Sequence, residues 1–167
     1  MTQKAIGPSF YDELVAHGGL VGEHFSWQPD GVIEFFHDTP QEVIDGVKKV
    51  YEAHNPETVP PKQAAQAALA AGLEIVSTGT PELNGTYALD QLSRMDIVSI
   101  EIGVKAGQGF PGGGSAFNYP DASGKLHEFN ESNFCEFASA VRQYSYALNA
   151  VIAGTSMGLP ESPVTIA

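Results

Sequence analysis

Apolar side chains recur at the three- and four-residue spacing of a helix face in two long stretches of the chain. The first lies between Thr39 and Asn55, where we expect Thr39 to cap the helix and Glu42 to complete a capping box. Its apolar face is made by Val43, Val47, Val50 and His54. The second covers residues 131–153 and begins at Asn130, a good N-cap residue. Its wider apolar face is made by Phe134, Phe137, Ala138, Val141, Ser145, Leu148 and Ile152.

Two shorter helices are predicted over residues 8–17 and 62–72. Pro8 suits the first position of the former, and Gly72 ends the latter. His54, near the end of the long first helix, is expected to interact with the helix dipole there.

Residues 89–106 fit two patterns. The β-branched run "IVSIEIGV" suits a strand, whereas four side chains are spaced like one helix face: Leu92, Met95, Val98 (or Ser99) and Ile102. Asp90 is a suitable N-cap and Gly107 a suitable stop, so we favour the helix.

Alternation of aromatic and β-branched residues around turn signals predicts three β-hairpins. The first surrounds a Pro-Asp-Gly turn at residues 29–31. The second has arms at residues 73–78 and 85–89, and the third turns at residues 121–124. The C-terminal segment is expected to end in a short strand.

These elements predict an α+β fold of two small modules, each with helices packed on short antiparallel β-hairpins. The polar, proline-containing stretch "NPETVPPK" separates them. We therefore expect an N-terminal helix-hairpin-helix module at residues 1–56, a linker at residues 57–61 and a C-terminal module at residues 62–167.

Composition narrows the range of partners. The net charge is −12, and the eight Lys and Arg residues are dispersed along the chain. No basic stripe is present, so we expect no nucleic-acid partner. An anionic membrane surface would repel the chain, and no apolar run has membrane-spanning length, so no membrane partner is expected either. Cys135 is the only cysteine, which excludes an intrachain disulfide.

The stretch "GQGFPGGGS", residues 107–115, has the Gly-x-Gly-x-x-Gly spacing of a dinucleotide-binding loop. Such a loop follows a strand and opens a helix, so that backbone amides meet the pyrophosphate. Here the glycines follow a predicted helix and lead into a hairpin, and Pro111 removes one amide. The sequence therefore predicts a helix stop and a turn, and no bound nucleotide.

Other chemical motifs are weak. No pair among the five histidines has metal-ligand spacing on a helix, and His24 and His37 only flank a hairpin. The stretch "DASGKLHE", 121–128, is too short for a calcium loop and lacks its alternating ligands. A glycan hydrolase would need two carboxylates across a groove. The nominees for that role are Glu34, Asp38 and Glu128. Cys135 lies beside the strongest apolar face, so we expect a buried thiol, not a nucleophile.

Aromatic residues are the best candidates for contacts with a partner. Most of those around the first hairpin are expected in the core, but Phe36 follows Phe35 and should point to the opposite face. The predicted interaction residues are Trp27, Phe36 and Tyr119.

Two stretches carry a resemblance to known families. "GTYALD", a helix, and then "FPGGGSAFNYPDASGKLHEFNESNFCEFASAVRQYSYAL" resemble a domain of unknown function recurrent in tail-fibre proteins of tailed phages and prophages. The shared pattern is Gly-x-Tyr-x-x-Asp, Phe-Pro-Gly, Asp-x-x-Gly-x-x-His-x-Phe and a helix with paired aromatics, over residues 73–150. The stretch from Ser9 to Pro56, with its "DG" hairpin and "AHNP" ending, is similar to small XkdW-type modules of prophage tail-region proteins.

The resemblance implies a virion structural protein with no catalysis and no cofactor. We expect a small adaptor or accessory component of the tail, baseplate or tail fibre, assembled in the host cytoplasm. Its expected partners are other tail or fibre proteins, and the chain itself is expected to form a homo-oligomer or join a larger assembly. A tail-fibre assembly chaperone and an envelope-glycan hydrolase are the alternatives.

Overall fold

The computed structural model describes residues 3–156 and 158–167 and has an α+β fold. The chain divides into two compact units, the first ending at Pro60 and the second beginning at Pro61. Each unit has its own cluster of buried apolar side chains. In the described part of the chain, no helix combines the length and the apolar character that crossing a membrane requires.

The first unit is a helix-hairpin-helix arrangement. Its elements are α1 (Phe10–Ala16), β1 (Phe25–Trp27), β2 (Ile33–Phe35) and α2 (Gln41–Ala53). The two strands pair antiparallel, with Phe25 opposite Phe35 and Trp27 opposite Ile33. The predicted turn glycine, Gly31, has a φ of 96°, and a Cβ there would lie 2.0 Å from the carbonyl oxygen of Lys4. Only glycine fits this turn.

Both helices of the first unit begin later than predicted. α1 starts at Phe10, two residues after Pro8. α2 has Pro40 at its N-cap with no side-chain cap, so the predicted capping box is wrong. The Thr39 hydroxyl donates instead to the carbonyl oxygens of His24 and Phe36, at 2.6 and 2.8 Å, and so closes the end of the hairpin. The predicted apolar face of α2 is correct: Val47, Val50 and His54 are buried.

The described part of the second unit contains three helices, a short 3₁₀ turn (Pro81–Leu83) and five strands. The helices are α3 (Pro61–Ala71), α4 (Gln91–Lys105) and α5 (Glu131–Ile152). The strands are β3 (Leu73–Ser77), β4 (Gly85–Tyr87), β5 (Phe117–Pro120), β6 (Leu126–Phe129) and β7 (Val164–Ile166).

Two antiparallel pairs form as predicted, β3 with β4 and β5 with β6. The sequence did not predict the partner of the C-terminal strand. β7 pairs parallel with β3 and so completes a three-stranded sheet in the order β4-β3-β7. The Ser77 hydroxyl donates to the carbonyl oxygen of Ala167, 90 residues further along the chain, at 2.9 Å.

Residues 89–106, whose sequence fitted both a helix and a strand, contain helix α4. Asp90 caps it as predicted, accepting hydrogen bonds from the backbone N–H groups of Leu92 and Ser93 at 2.9 and 3.1 Å. Asn130 caps α5 in the same way through the N–H of Asn133. α5 supplies the centre of the core, where Phe134, Phe137 and Leu148 are fully buried.

Candidate interaction surfaces

α4 carries apolar side chains on two faces. Ile97, Ile100 and Val104 point into the core of the second unit. Leu92, Met95 and Ile102 lie on the other face, with 78%, 61% and 62% of their surface exposed. We call these three residues the outer α4 stripe. The face recognised in the sequence is therefore the exposed one, and the spacing of Ile97, Ile100 and Val104 was the signal of a second, buried face.

An ion-pair network fixes the rotation of α4 on α5. The Glu101 carboxylate is almost fully buried and accepts hydrogen bonds from Lys105 Nζ and Arg142 Nη1, both at 2.6 Å. Burial would raise the pKa of Glu101, but these two hydrogen bonds outweigh it and lower the pKa. Because Arg142 belongs to α5, the network helps to hold the outer α4 stripe toward solvent.

The three predicted interaction residues have different surroundings. Phe36 is 48% exposed, as expected for the outer side of the hairpin. Trp27 is half-buried, and its ring packs edge-on against Phe10 with 5.6 Å between centroids. Tyr119 is only 7% exposed and packs against Phe134 and Phe137, so our expectation of a surface contact is corrected. Alternation along β5 turns its ring inward, and burial raises its pKa to about 12.

His127, in the third hairpin, is a buried titratable side chain of the motif that carries the phage resemblance. Its Nδ1 lies 2.6 Å from the carbonyl oxygen of Glu82, and its Nε2 lies 3.1 Å from Asp121 Oδ2. Both neighbours are oxygen atoms that can accept a hydrogen bond from the ring. Hydrogen bonds from Ser123, and then from His127, hold the pKa of Asp121 far below its usual range.

Tyr87 completes this cluster, and its role is structural. Its ring lies 5.5 Å from that of His127, and its hydroxyl donates to the carbonyl oxygen of Leu83 at 2.7 Å. Burial, with a contribution from Asp121, raises the pKa of Tyr87. A side chain at Gly85 would lie 3.3 Å from the His127 ring. The motif residues therefore lock the third hairpin onto the β3-β4 pair, and the polar groups satisfy one another.

The glycine loop ends α4, as the sequence predicted. Gly107 and Gly109 have φ values of 74° and 72°, and the backbone N–H of Gly107 bonds to the carbonyl oxygen of Val104. Phe110 is buried against Phe117 and Phe134, and so fixes the loop to the core.

His54 lies at the C-terminal end of α2, as expected, and its backbone N–H donates to the carbonyl oxygen of Val50 at 2.8 Å. Its ring makes two further contacts. Its Nδ1 lies 2.8 Å from Glu13 Oε2, and its Nε2 accepts a hydrogen bond from the backbone N–H of Gly7 at 2.9 Å. The Ser9 hydroxyl donates to the other oxygen of Glu13 at 2.7 Å. Ser9, Glu13 and His54 therefore meet here, but the Ser9 hydroxyl bonds to the Glu13 carboxylate and not to the His54 ring. The arrangement is not that of a nucleophilic serine and its histidine base.

The remaining chemical candidates are dispersed. Glu34, Asp38 and Glu128 are exposed, whereas a general acid needs an apolar setting that holds its proton. Cys135 is partly buried, and burial raises its pKa, which suppresses the reactive thiolate. Within residues 3–156 and 158–167, no three His, Cys, Asp or Glu side chains are grouped to hold a metal ion.

Comparison of the chain with models of protein families, with curated proteins and with solved structures gives no match in any of the three.

Proposed function

We propose that the chain is a non-enzymatic structural protein of a tailed-phage particle. It acts there as a small adaptor or accessory component of the tail, baseplate or tail fibre, through protein–protein contacts. The proposal rests on the outer α4 stripe, together with the resemblance of the second unit to a domain of tail-fibre proteins.

The exposure of the stripe is the observation that carries the proposal. A helix that is apolar on both sides belongs in a protein interior or at an interface. Burying one large apolar side chain is worth about 1.5–3 kcal/mol, so leaving three of them in water on one face forgoes several kcal/mol. A partner that covers Leu92, Met95 and Ile102 recovers this free energy.

The motif residues support a scaffold role. Tyr87, Asp121 and His127 satisfy one another and hold two hairpins together, and they leave no polar group aimed at a substrate.

Size-exclusion chromatography with light scattering on the purified chain tests the contact surface. We expect a trimer or hexamer, because the phage resemblance implies the threefold or sixfold symmetry of tail and fibre assemblies, which one repeated interface can close into a ring. A variant that combines Leu92→Gln, Met95→Gln and Ile102→Gln should be monomeric and keep its helical circular dichroism. Tyr146→Gln is the matched control, because Tyr146 is 77% exposed on α5, outside the stripe.

Mass spectrometry of purified particles from a host that produces the chain tests the location. Stoichiometric copies in the particle support the structural role. Its presence in the infected cell but absence from the particle would favour an assembly chaperone. A monomeric chain that is also absent from particles would contradict the proposal.

A further inference from the structure

A second surface lies in the first unit and is independent of the outer α4 stripe. It is a groove of about 410 Å³ between the N-terminal segment with α1 on one side and the β1-β2 hairpin on the other. We call it the Tyr11–Trp27 groove. Its lining residues are Ile6, Gly7, Pro8, Tyr11, Trp27 and Pro29.

The lining is made of rings and aliphatic groups. Tyr11 is 53% exposed, and the half-buried Trp27 lines the groove together with Pro8 and Pro29. Among the described residues of the lining, the polar side-chain groups are the hydroxyl of Tyr11 and the indole N–H of Trp27. Neither makes a hydrogen bond to any residue that the structure describes, and each is available to donate to a ligand.

The walls of the groove are held in place. The backbone N–H of Ile6 donates to the carbonyl oxygen of Pro29 at 2.9 Å, which ties the N-terminal segment to the hairpin turn. The N–H of Gly7 donates to His54 Nε2. Phe10 supports the Trp27 ring from below by an edge-on contact. A groove fixed by such contacts loses little conformational entropy when it binds.

We propose that the Tyr11–Trp27 groove binds a proline-rich peptide segment with basic residues, contributed by another protein. Proline rings pack flat against aromatic side chains, and a polyproline II segment exposes carbonyl oxygens that accept hydrogen bonds. The Trp27 N–H and the Tyr11 hydroxyl supply donors for those oxygens. Because proline lacks an N–H, such a segment needs few acceptors, and the side chains of the groove offer only the hydroxyl oxygen of Tyr11.

The chemistry of the groove selects this occupant over a glycan. A sugar ring also stacks on aromatic side chains, but it carries several hydroxyls that need partners once buried. The lining offers only two polar side-chain groups. A proline ring needs none.

Charge selects the basic residues. The chain up to Pro60 contains ten acidic residues and three lysines. Asp12 and Asp30, both exposed, directly follow the groove residues Tyr11 and Pro29. Arginine or lysine residues that flank the prolines find these carboxylates at the rim, where they steer association and fix the direction of the peptide.

Trp27 is the only tryptophan of the chain, so in the folded protein its fluorescence responds to changes at this groove and in the first unit around it. The full chain is titrated with a short peptide of prolines interrupted by arginines, labelled with fluorescein for anisotropy. We expect saturable binding with a matching change in Trp27 emission. We also expect binding to weaken when glutamates replace the arginines, and to disappear when alanines replace the prolines.

Variants locate the binding site. Tyr11→Ala should weaken binding by about fivefold, the order expected for one aromatic contact. Trp27→Phe preserves the contact with Phe10, loses the indole N–H and should also weaken binding in the anisotropy assay. Tyr146→Ala, an exposed aromatic of α5, is the control and should bind normally.

Three results would overturn the proposal: no binding at peptide concentrations of about 1 mM, equal binding by Tyr11→Ala and the unchanged chain, or a Trp27 response to a glucosamine oligosaccharide in place of the peptide. None of these results bears on the outer α4 stripe, so this inference and the proposed function fail or survive separately.

Discussion

Phe134 offers the sharpest test of how the second unit is held together. It is fully buried at the start of α5, and five aromatic rings surround it with centroid distances between 5.5 and 6.2 Å. These rings belong to Phe110, Phe117, Tyr119, Phe129 and Phe137. Phe134→Ala removes the ring that joins α5, the third hairpin and the glycine loop.

The expected loss follows from burial. A Phe→Ala change at a fully buried site costs about 3–5 kcal/mol, and the aromatic neighbours place this one in the upper half of that range. With a urea m-value of about 2 kcal/mol per molar, a loss of about 4 kcal/mol lowers the unfolding midpoint by about 2 M. Far-UV circular dichroism measures this midpoint, because α3, α4 and α5 all lie in the second unit.

Trp27 fluorescence supplies an internal control, because it follows the first unit only. Since each unit has its own core, we expect Phe134→Ala to leave the fluorescence midpoint unchanged. Leu126→Ala, at a side chain 61% exposed on β6, should shift neither midpoint by more than about 0.3 M. Equal shifts of both probes in Phe134→Ala would refute the assignment of separate cores, and a midpoint shift below about 0.5 M would refute the central role of Phe134.

Three further predictions concern single sites. Gly7→Ala should destabilise the first unit by about 1–3 kcal/mol, because the new Cβ would lie 1.9 Å from the carbonyl oxygen of Pro56. The measurement is the urea midpoint of unfolding followed by Trp27 fluorescence, which should fall. The pKa of Asp121 is lowered in the folded state, so its ionised form stabilises the fold at pH values above its unfolded pKa near 4, and this contribution is lost as the pH falls through the folded pKa. Asp121→Asn should therefore flatten the decline of the free energy of unfolding below about pH 4, as measured by urea titrations at several pH values. An unchanged pH profile would contradict this. Cys135 should react with iodoacetamide more slowly than glutathione does at pH 8, because burial raises the pKa of its thiol. Equal rates would contradict this and indicate an accessible thiol.

The elements that the sequence predicted well are those specified by local chemistry. Asp90 and Asn130 cap their helices through N–H groups two or three residues away, and Gly31 turns the first hairpin. Thr39 has an equally good local signal, but its hydroxyl bonds to His24, fifteen residues earlier. A tertiary contact there replaced the local one.

The features that escaped prediction depend on contacts between distant segments. The sequence showed an apolar face on α4, but only the packing of α5 decides which of its two faces is buried. Likewise, His127 contacts the carbonyl oxygen of Glu82, which lies 45 residues earlier in the chain, as well as the nearby Asp121. Hydrophobic spacing along one element carries no information about such pairings.

The parallel pairing of β3 with β7 sets the order in which the chain can fold as it is synthesised. The first unit, with its helix-hairpin-helix core, precedes the second in the chain and so emerges from the ribosome first. β3 then emerges early, whereas the strand that completes its sheet follows about 90 residues later. During that interval, one edge of β3 is without its partner strand, and an unpaired edge invites association with other chains. The time needed to translate the segment from β3 to β7 therefore sets how long the nascent second unit is exposed to misassembly.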